Sequence, residues 1–197
     1  MPRRSLPRLL GSQLKHVGSS INKMDIQVIS MALAFGGWVY GGYVRDVLIC
    51  KADHFNDIDI AIPEYADIDT FLKCLGALGL PMNIYKDINF TYGTNSVNRL
   101  IKIHLDNLSI DLIIVKSFYS WCDDHSCDLS CNLFYKTGNC QLGLRYIPET
   151  FKYSPDPITD ILELTENKEF VVIQENRTSK LEERIAFRET MGWTSQA

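Results

Sequence analysis

Three aspartates are the side chains whose type and spacing most directly promise chemistry. Asp57 and Asp59 stand in the run NDIDIAIP, where acid alternates with isoleucine. On a strand, residues i and i+2 project from one face, so the two carboxylates would lie side by side while Ile58 and Ile60 enter the core. Neighbouring carboxylates repel, and a divalent cation removes that cost. Magnesium takes oxygen ligands, keeps several waters and is commonly shared with phosphates. A third acid, Asp111, interrupts the otherwise apolar run SIDLIIV. An isolated acid in a buried strand needs a partner: a metal ion, a strand-end cap or an arginine such as Arg99 would each serve. The metal ligands expected from this pattern are Asp57, Asp59 and Asp111, with Mg2+ or Mn2+ as the cofactor. Upstream lies Gly41-Gly42. Glycines at a strand-to-helix turn let backbone N–H groups approach an anion with no side chain in the way, which a triphosphate needs close to its metal. Any tight turn also favours glycine, so the combination with the acids is what counts.

Positioning these residues takes alternating helices and strands. NKMDIQVISMALAF (22–35) has helical apolar spacing and a cap at Asn22. A short strand at 38–40 precedes the glycine pair, and 43–50 is helix-compatible. DIDIAI has the period of a strand and is ended by Pro63. IDTFLKCLGAL (68–78) predicts a helix stopped by Gly79 and Pro81. RLIKIHLDNLSIDLIIV predicts two strands turning at Asp106-Asn107, and NLFYKTGNCQLGLRYI a hairpin turning at Thr137-Gly138-Asn139. Past Pro148 the texture changes: Pro155 and Pro157 read as chain breaks, and LEERIAFRETMGW as a charged closing helix. The class is α/β (α+β) with a mixed sheet. The expected divisions are a basic flexible arm at 1–21, a globular unit at 22–150 and a C-terminal helical extension at 151–197.

Composition narrows the partners. Hydrophobic residues make up 46% and charged residues 22%, a globular balance that excludes wholesale disorder. No apolar run approaches the ~20 residues that span a bilayer, so a soluble protein without a membrane partner is expected. The net charge of -4 argues against tight unaided binding of nucleic acid; any polynucleotide contact must come from a local patch or a partner protein. The first 24 residues hold Arg3, Arg4, Arg8, Lys15 and Lys23 and no acid. This arm reads as a disordered tail, a contact for nucleic acid or an acidic partner, or an organellar transit peptide. Without a secretory signal, an intracellular, cytoplasmic protein with reduced thiols is expected. Cys122, Cys127, Cys131 and Cys140 cluster around His125, but C-x4-C-x3-C-x8-C lacks the paired C-x2-C of common zinc sites. Ordinary thiols and a zinc-stabilised interaction module are the two readings.

GGYVRDVLICKADHFNDIDIAIP resembles the opening signature of the polymerase-beta-like nucleotidyltransferase superfamily. Within it, the resemblance is to the head domain of tRNA CCA-adding enzymes and bacterial-type poly(A) polymerases, which carry G-G-x-V-R-D and then D-x-D. Here those positions are Gly41, Gly42, Val44, Arg45 and Asp46, then Asp57 and Asp59, with Asp111 as the third acid. DLSCNLFY (128–135) is similar to the family's D-F-T-x-N-A-L-x-Y, preserving Asp128, Asn132, Leu133 and Tyr135. The resemblance covers roughly residues 24–147. It implies a mixed-sheet nucleotidyltransferase fold and transfer of a nucleoside monophosphate from an NTP to a hydroxyl, with an RNA 3′ end as the favoured acceptor. Gly41, Gly42, Arg45, Asp46, Asp128 and Asn132 would bind the nucleotide, Arg45 either by contacting phosphate or by pairing with Asp46 to brace the turn. Lys102 and Arg99 are further phosphate contacts to consider.

The departures are specific. Ser126 and Cys127 stand where the family has two arginines, and LEERIAFR does not follow the family's E-D-x-x-R. The chain ends where the family's helical neck would begin, so a single-domain member of the viral or bacterial kind is the nearer resemblance. Competing readings are nucleotidylation of a protein or small molecule, and an inactive scaffold on the same fold.

Overall fold

The computed structural model describes residues 23–53, 55–90, 96–124, 127–139, 142–174 and 178–196. The basic arm, the Asn22 cap, His125, Ser126 and Cys140 lie outside them. Helix α1 (Lys23–Ala34) lays Val28, Ile29 and Ala32 on the core and stops at Gly36, whose φ of 75° lets its N–H return to Leu33 O. Strand β1 (Trp38–Tyr40) runs directly into α2 (Gly41–Tyr43), which continues as a π-helical turn (Val44–Ile49). The glycine pair thus opens the helix, two residues earlier than the pattern predicts.

Strand β2 (Ile58–Pro63) is followed by α3 (Ile68–Gly76), whose first turn is capped by Asp67 accepting from Thr70 N. Then come β3 (Met82–Asn89), β4 (Val97–Leu105) and β5 (Leu108–Val115), with a turn at Asp106 in positive φ. Helix α4 (Phe118–Asp123) starts in a Ser117–Ser120 capping box, and β6 (Phe134–Lys136) and β7 (Leu142–Leu144) form the expected hairpin.

The seven strands form one mixed sheet in the order β3-β4-β5-β2-β1-β6-β7. Only β2 and β5 are parallel, paired through the crossover of α3, β3 and β4. Ile58, Ile60 and Ile62 of β2 and Ile110, Leu112 and Ile114 of β5 face one side and pack with α1, α2 and α3. The intervening residues, Asp59, Ala61, Asp111 and Ile113, face the other side, as strand period requires. At one end that second face is covered by Trp121 of α4 against Trp38, whose rings lie 5.3 Å apart. The other end carries the aspartates.

Three elements depart from expectation. β3 lies outside the strands the sequence pattern predicts: an edge strand with nearly every residue exposed has no buried face to impose alternation. Pro157 does not break the chain but begins helix α5 (Pro157–Glu166), with Asp156 as its cap; proline suits the first helical position, where no N–H is needed. The closing helix α6 (Ser179–Thr190) is present, but the C-terminal segment also holds a small parallel pair, β8 (Glu169–Val171) with β9 (Thr194–Gln196). Among the described residues no helix is long and apolar enough to cross a membrane.

Ile60 is fully buried at the sheet's centre, between β1 and β5. Ile60→Ala should lower unfolding stability by about 2–5 kcal/mol through lost burial and the cavity left behind, read from the shift of a urea denaturation midpoint.

Candidate active site

Parallel pairing of β2 with β5 sets Asp59 beside Asp111, and Asp57 just before β2 completes the group. One carboxylate oxygen from each of the three lies within 4.8 Å of the others. Burial raises the Asp59 carboxyl to about 7, with the charge of Asp57 adding to the rise and the Gly42 N–H opposing it. Asp57 is also raised, by burial first and by Asp111 second. Hard oxygen donors crowded into this space suit a divalent cation better than they suit one another, so the three residues are able to hold a metal ion.

Gly41 and Gly42 press against these acids. Gly42 N–H donates to Asp59 Oδ2 at 3.3 Å. Gly41 has φ 69°, and a Cβ there would overlap Asp59 Oδ2 and stand 2.9 Å from its Cγ. The next turn carries Arg45, only 3% exposed, which donates to Asp46 through Nε (2.7 Å) and Nη2 (2.6 Å) and to Asn132 Oδ1 through Nη1. The guanidinium therefore braces the glycine turn and ties it to the segment before β6. Asn132 also faces Asp128 at 3.5 Å, and Asp128 forms an ion pair with Arg184 of α6.

Beside the acids opens a cleft of about 530 Å³, nucleotide-sized. Gly41, Gly42, Arg45, Asp46, Asp57, Asp59, Asp128 and Asn132 all line it; Asp111 does not. Asp111 instead accepts from Lys102 Nζ on β4, and Arg99 pairs with Asp87 rather than with Asp111. Sequence reasoning missed part of the lining. Lys180, Arg184 and Arg188 recur every fourth residue along α6, a basic stripe on one helix face that their spacing alone could have revealed. Arg145 lines the cleft too, held by Nε to Trp121 O at 2.7 Å and stacked 4.4 Å over the Trp121 ring. Cys122, Cys127 and Cys131 are free thiols, pushed by burial up to about 11, 12 and 11. The aspartate cluster is the one metal-competent group among the described residues.

No protein-family model matches the sequence, and no curated protein matches it. Known folds do match. Two structures of a CCA-adding enzyme, one in complex with CTP and one an apo form, align with 90% of this chain at TM-scores of 0.60 and 0.61 and 15% identity. A Thermotoga maritima CCA-adding enzyme complexed with tRNA-CCA aligns with 90% of the chain at a TM-score of 0.56 and 15% identity. This chain spans about two fifths of their length, 41% of the first two and 40% of the third. At this identity the likeness is one of fold: the chain has a mixed α/β, nucleotidyltransferase-like architecture.

Two outcomes follow from the crowding. Gly41→Ala should displace the Asp59 carboxylate and strain the backbone, costing about 1–3 kcal/mol and weakening Mn2+ binding, as read by denaturation and calorimetric titration. Asp59 has the opposite sensitivity. Above pH 7 it is ionised in folded and unfolded chains alike, and the fold carries the full cost of burying the charge; below about pH 4 it is neutral in both, and the cost vanishes. In chelator, Asp59→Asn should therefore stabilise the protein at pH 8 by about 2 kcal/mol, roughly half the ceiling set by the shift because solvent still reaches the carboxylate. The gain should shrink as pH falls from 7 towards 4, and urea denaturation at pH 8 and pH 5 tests this.

Proposed function

We propose that this chain is a metal-dependent nucleotidyltransferase that moves a nucleoside monophosphate from an NTP to a hydroxyl, with an RNA 3′ end as acceptor. The observation that carries the proposal is the meeting of three carboxylates on adjoining strands with a glycine turn at the mouth of a nucleotide-sized cleft. The likeness in fold to CCA-adding enzymes solved with CTP and with tRNA supports the nucleotide and the RNA acceptor.

In this reading residues 22–150 form the catalytic head, and residues 151–197 supply the basic wall of the cleft. Asp57, Asp59 and Asp111 hold Mg2+ or Mn2+. When bound, the metal would neutralise charge on the phosphate oxygens and lower the pKa of the acceptor hydroxyl. The chain itself does the positioning. Lys180, Arg188 and Arg145 face the cleft and draw in the triphosphate. Arg188 is half-buried near Arg45, and burial and that second guanidinium both lower its pKa, so an anion in the cleft relieves a standing repulsion. The Gly41–Gly42 turn lets phosphate come close to the backbone, while Asp128 and Asn132 shape the pocket around the nucleotide. The acceptor oxygen bonds to the α-phosphorus, its proton is released, and pyrophosphate leaves.

Wild type and an Asp57→Ala/Asp59→Ala variant should be incubated with Mg2+ or Mn2+, labelled NTPs and a mixture of short RNA, tRNA and candidate proteins. Label should pass to RNA in the wild type, fall by at least about a hundredfold in the variant, and be lost in chelator. No transfer, together with no metal-dependent NTP binding by the wild type, would refute the enzyme.

A further inference from the structure

The acid cluster has two sides. Asp57 and Asp59 line the cleft, whereas Asp111 opens onto the uncovered face of β3, β4 and β5. Across that face the strand registers align Tyr40, Asp59, Asp111, Lys102 and Lys86 in one row, each beside the next on a neighbouring strand. The row is segregated by charge: two acids in the middle of the sheet, then two lysines towards its edge. Lys86 stands directly opposite Lys102, an arrangement that costs stability in an isolated sheet. Lys102 at least has Asp111. Lys86 is exposed and has no carboxylate partner among the described residues.

Next to this row the edge strand bulges at Tyr85. The bulge lays the phenol ring flat on the imidazole of His104, with centroids 4.2 Å apart and planes 14° from parallel. His104 Nδ1 is held by Ser109 Oγ at 3.1 Å. Tyr85 is 47% exposed, so one face of a preassembled aromatic stack is turned to solvent beside two lysines. Stacking surfaces interleaved with cations are what single-stranded nucleic acid requires of a protein: bases on the rings, phosphates on the ammonium groups.

The geometry points to this open face of β3–β5 as the platform for the acceptor strand, a single-stranded RNA end. Its last base stacks on the Tyr85–His104 pair, its phosphates run along Lys86 and Lys102, and its terminal hydroxyl reaches Asp111. The NTP enters from the opposite side of the acids, so donor and acceptor never compete for one pocket. This assignment rests on the acid cluster being the catalytic centre. It also reconciles an RNA acceptor with a net charge of -4, because the cations sit in a local patch.

The test is binding of a labelled oligoadenylate of about twelve nucleotides by fluorescence anisotropy, alongside binding of a non-hydrolysable ATP analogue with Mg2+, using the full chain. Tyr85→Ala/His104→Ala should weaken oligonucleotide binding by about five- to a hundredfold and leave analogue binding unchanged. Lys86→Gln should reduce the slope of log affinity against log salt by about 0.7. All the substituted side chains are exposed or half-exposed, and unaltered melting curves would confirm the fold. Oligonucleotide binding that is unchanged in both variants would overturn the platform, as would a wild type that binds the analogue but not RNA. Label passed to a protein acceptor equally by wild type and variants would overturn it too, while sparing the nucleotidyltransferase. Conversely, a wild type that fails to bind the analogue but loses RNA in the variants would leave an RNA-binding face and overturn its role as the platform for an acceptor.

Discussion

Like charges forced together in a partly buried place set the terms for everything around them. Asp57, Asp59 and Asp111 converge because β2 and β5 run parallel in a register that faces Asp59 with Asp111. Each neighbour either tolerates or offsets the resulting repulsion. Gly41 has no Cβ to collide with Asp59, Gly42 lends it an N–H, and Lys102 lends a full positive charge to Asp111. Arg45 is held by Asp46 and Asn132, its charge opposes the rise in pKa at Asp57 and Asp59, and it fixes the turn on which both glycines ride. Arrangements that store electrostatic cost in this way are typical of sites built to receive a counter-charge.

Charge is distributed over two surfaces that share the acids as a common border. On one side the α6 stripe and Arg145 make a basic wall facing Asp57 and Asp59. On the other, Lys102 and Lys86 continue the row that begins at Tyr40. In a chain that is acidic overall, cations thus stand on both sides of the acids: Arg145, Lys180, Arg184 and Arg188 in the cleft, and Lys102 and Lys86 on the open sheet face. Field focusing of this kind acts over about one Debye length at physiological salt, on the order of 8 Å.

Much of this was legible in the sequence, and the remainder was not for identifiable reasons. The DID run and SIDLIIV declare their faces through strict alternation, and the observed core positions Ile58, Ile60, Ile110 and Leu112 agree. Gly41-Gly42 announced a tight approach, and the structure shows Asp59 as the group approached. By contrast, β3 carries no alternation because it lies at an edge, and its role depends on a bulge that only pairing with β4 can define. Pro157 was ambiguous because proline both stops and starts helices; Asp156 immediately before it was the deciding signal. The α6 stripe is written in the four-residue spacing of Lys180, Arg184 and Arg188 and not in a contiguous motif. The partnership of Asp111 with Lys102 rather than Arg99 turns on register and facing: in the antiparallel β4–β5 pair Lys102 lies opposite Asp111, whereas Arg99 faces Ile114.

Topology carries a consequence for the order of events in folding. The two halves of the aspartate group are adjacent in space yet divided along the chain by α3, β3 and β4, a separation that must be closed for β2 and β5 to pair. Such non-local parallel pairing is slow to nucleate, because loop closure comes before any contact rewards it. A nascent polypeptide therefore assembles the complete set of carboxylates only once β5 has emerged and docked against β2. A divalent cation held by all three carboxylates would act only on chains in which β2 and β5 are paired, and so would favour the native state over chains in which they are apart.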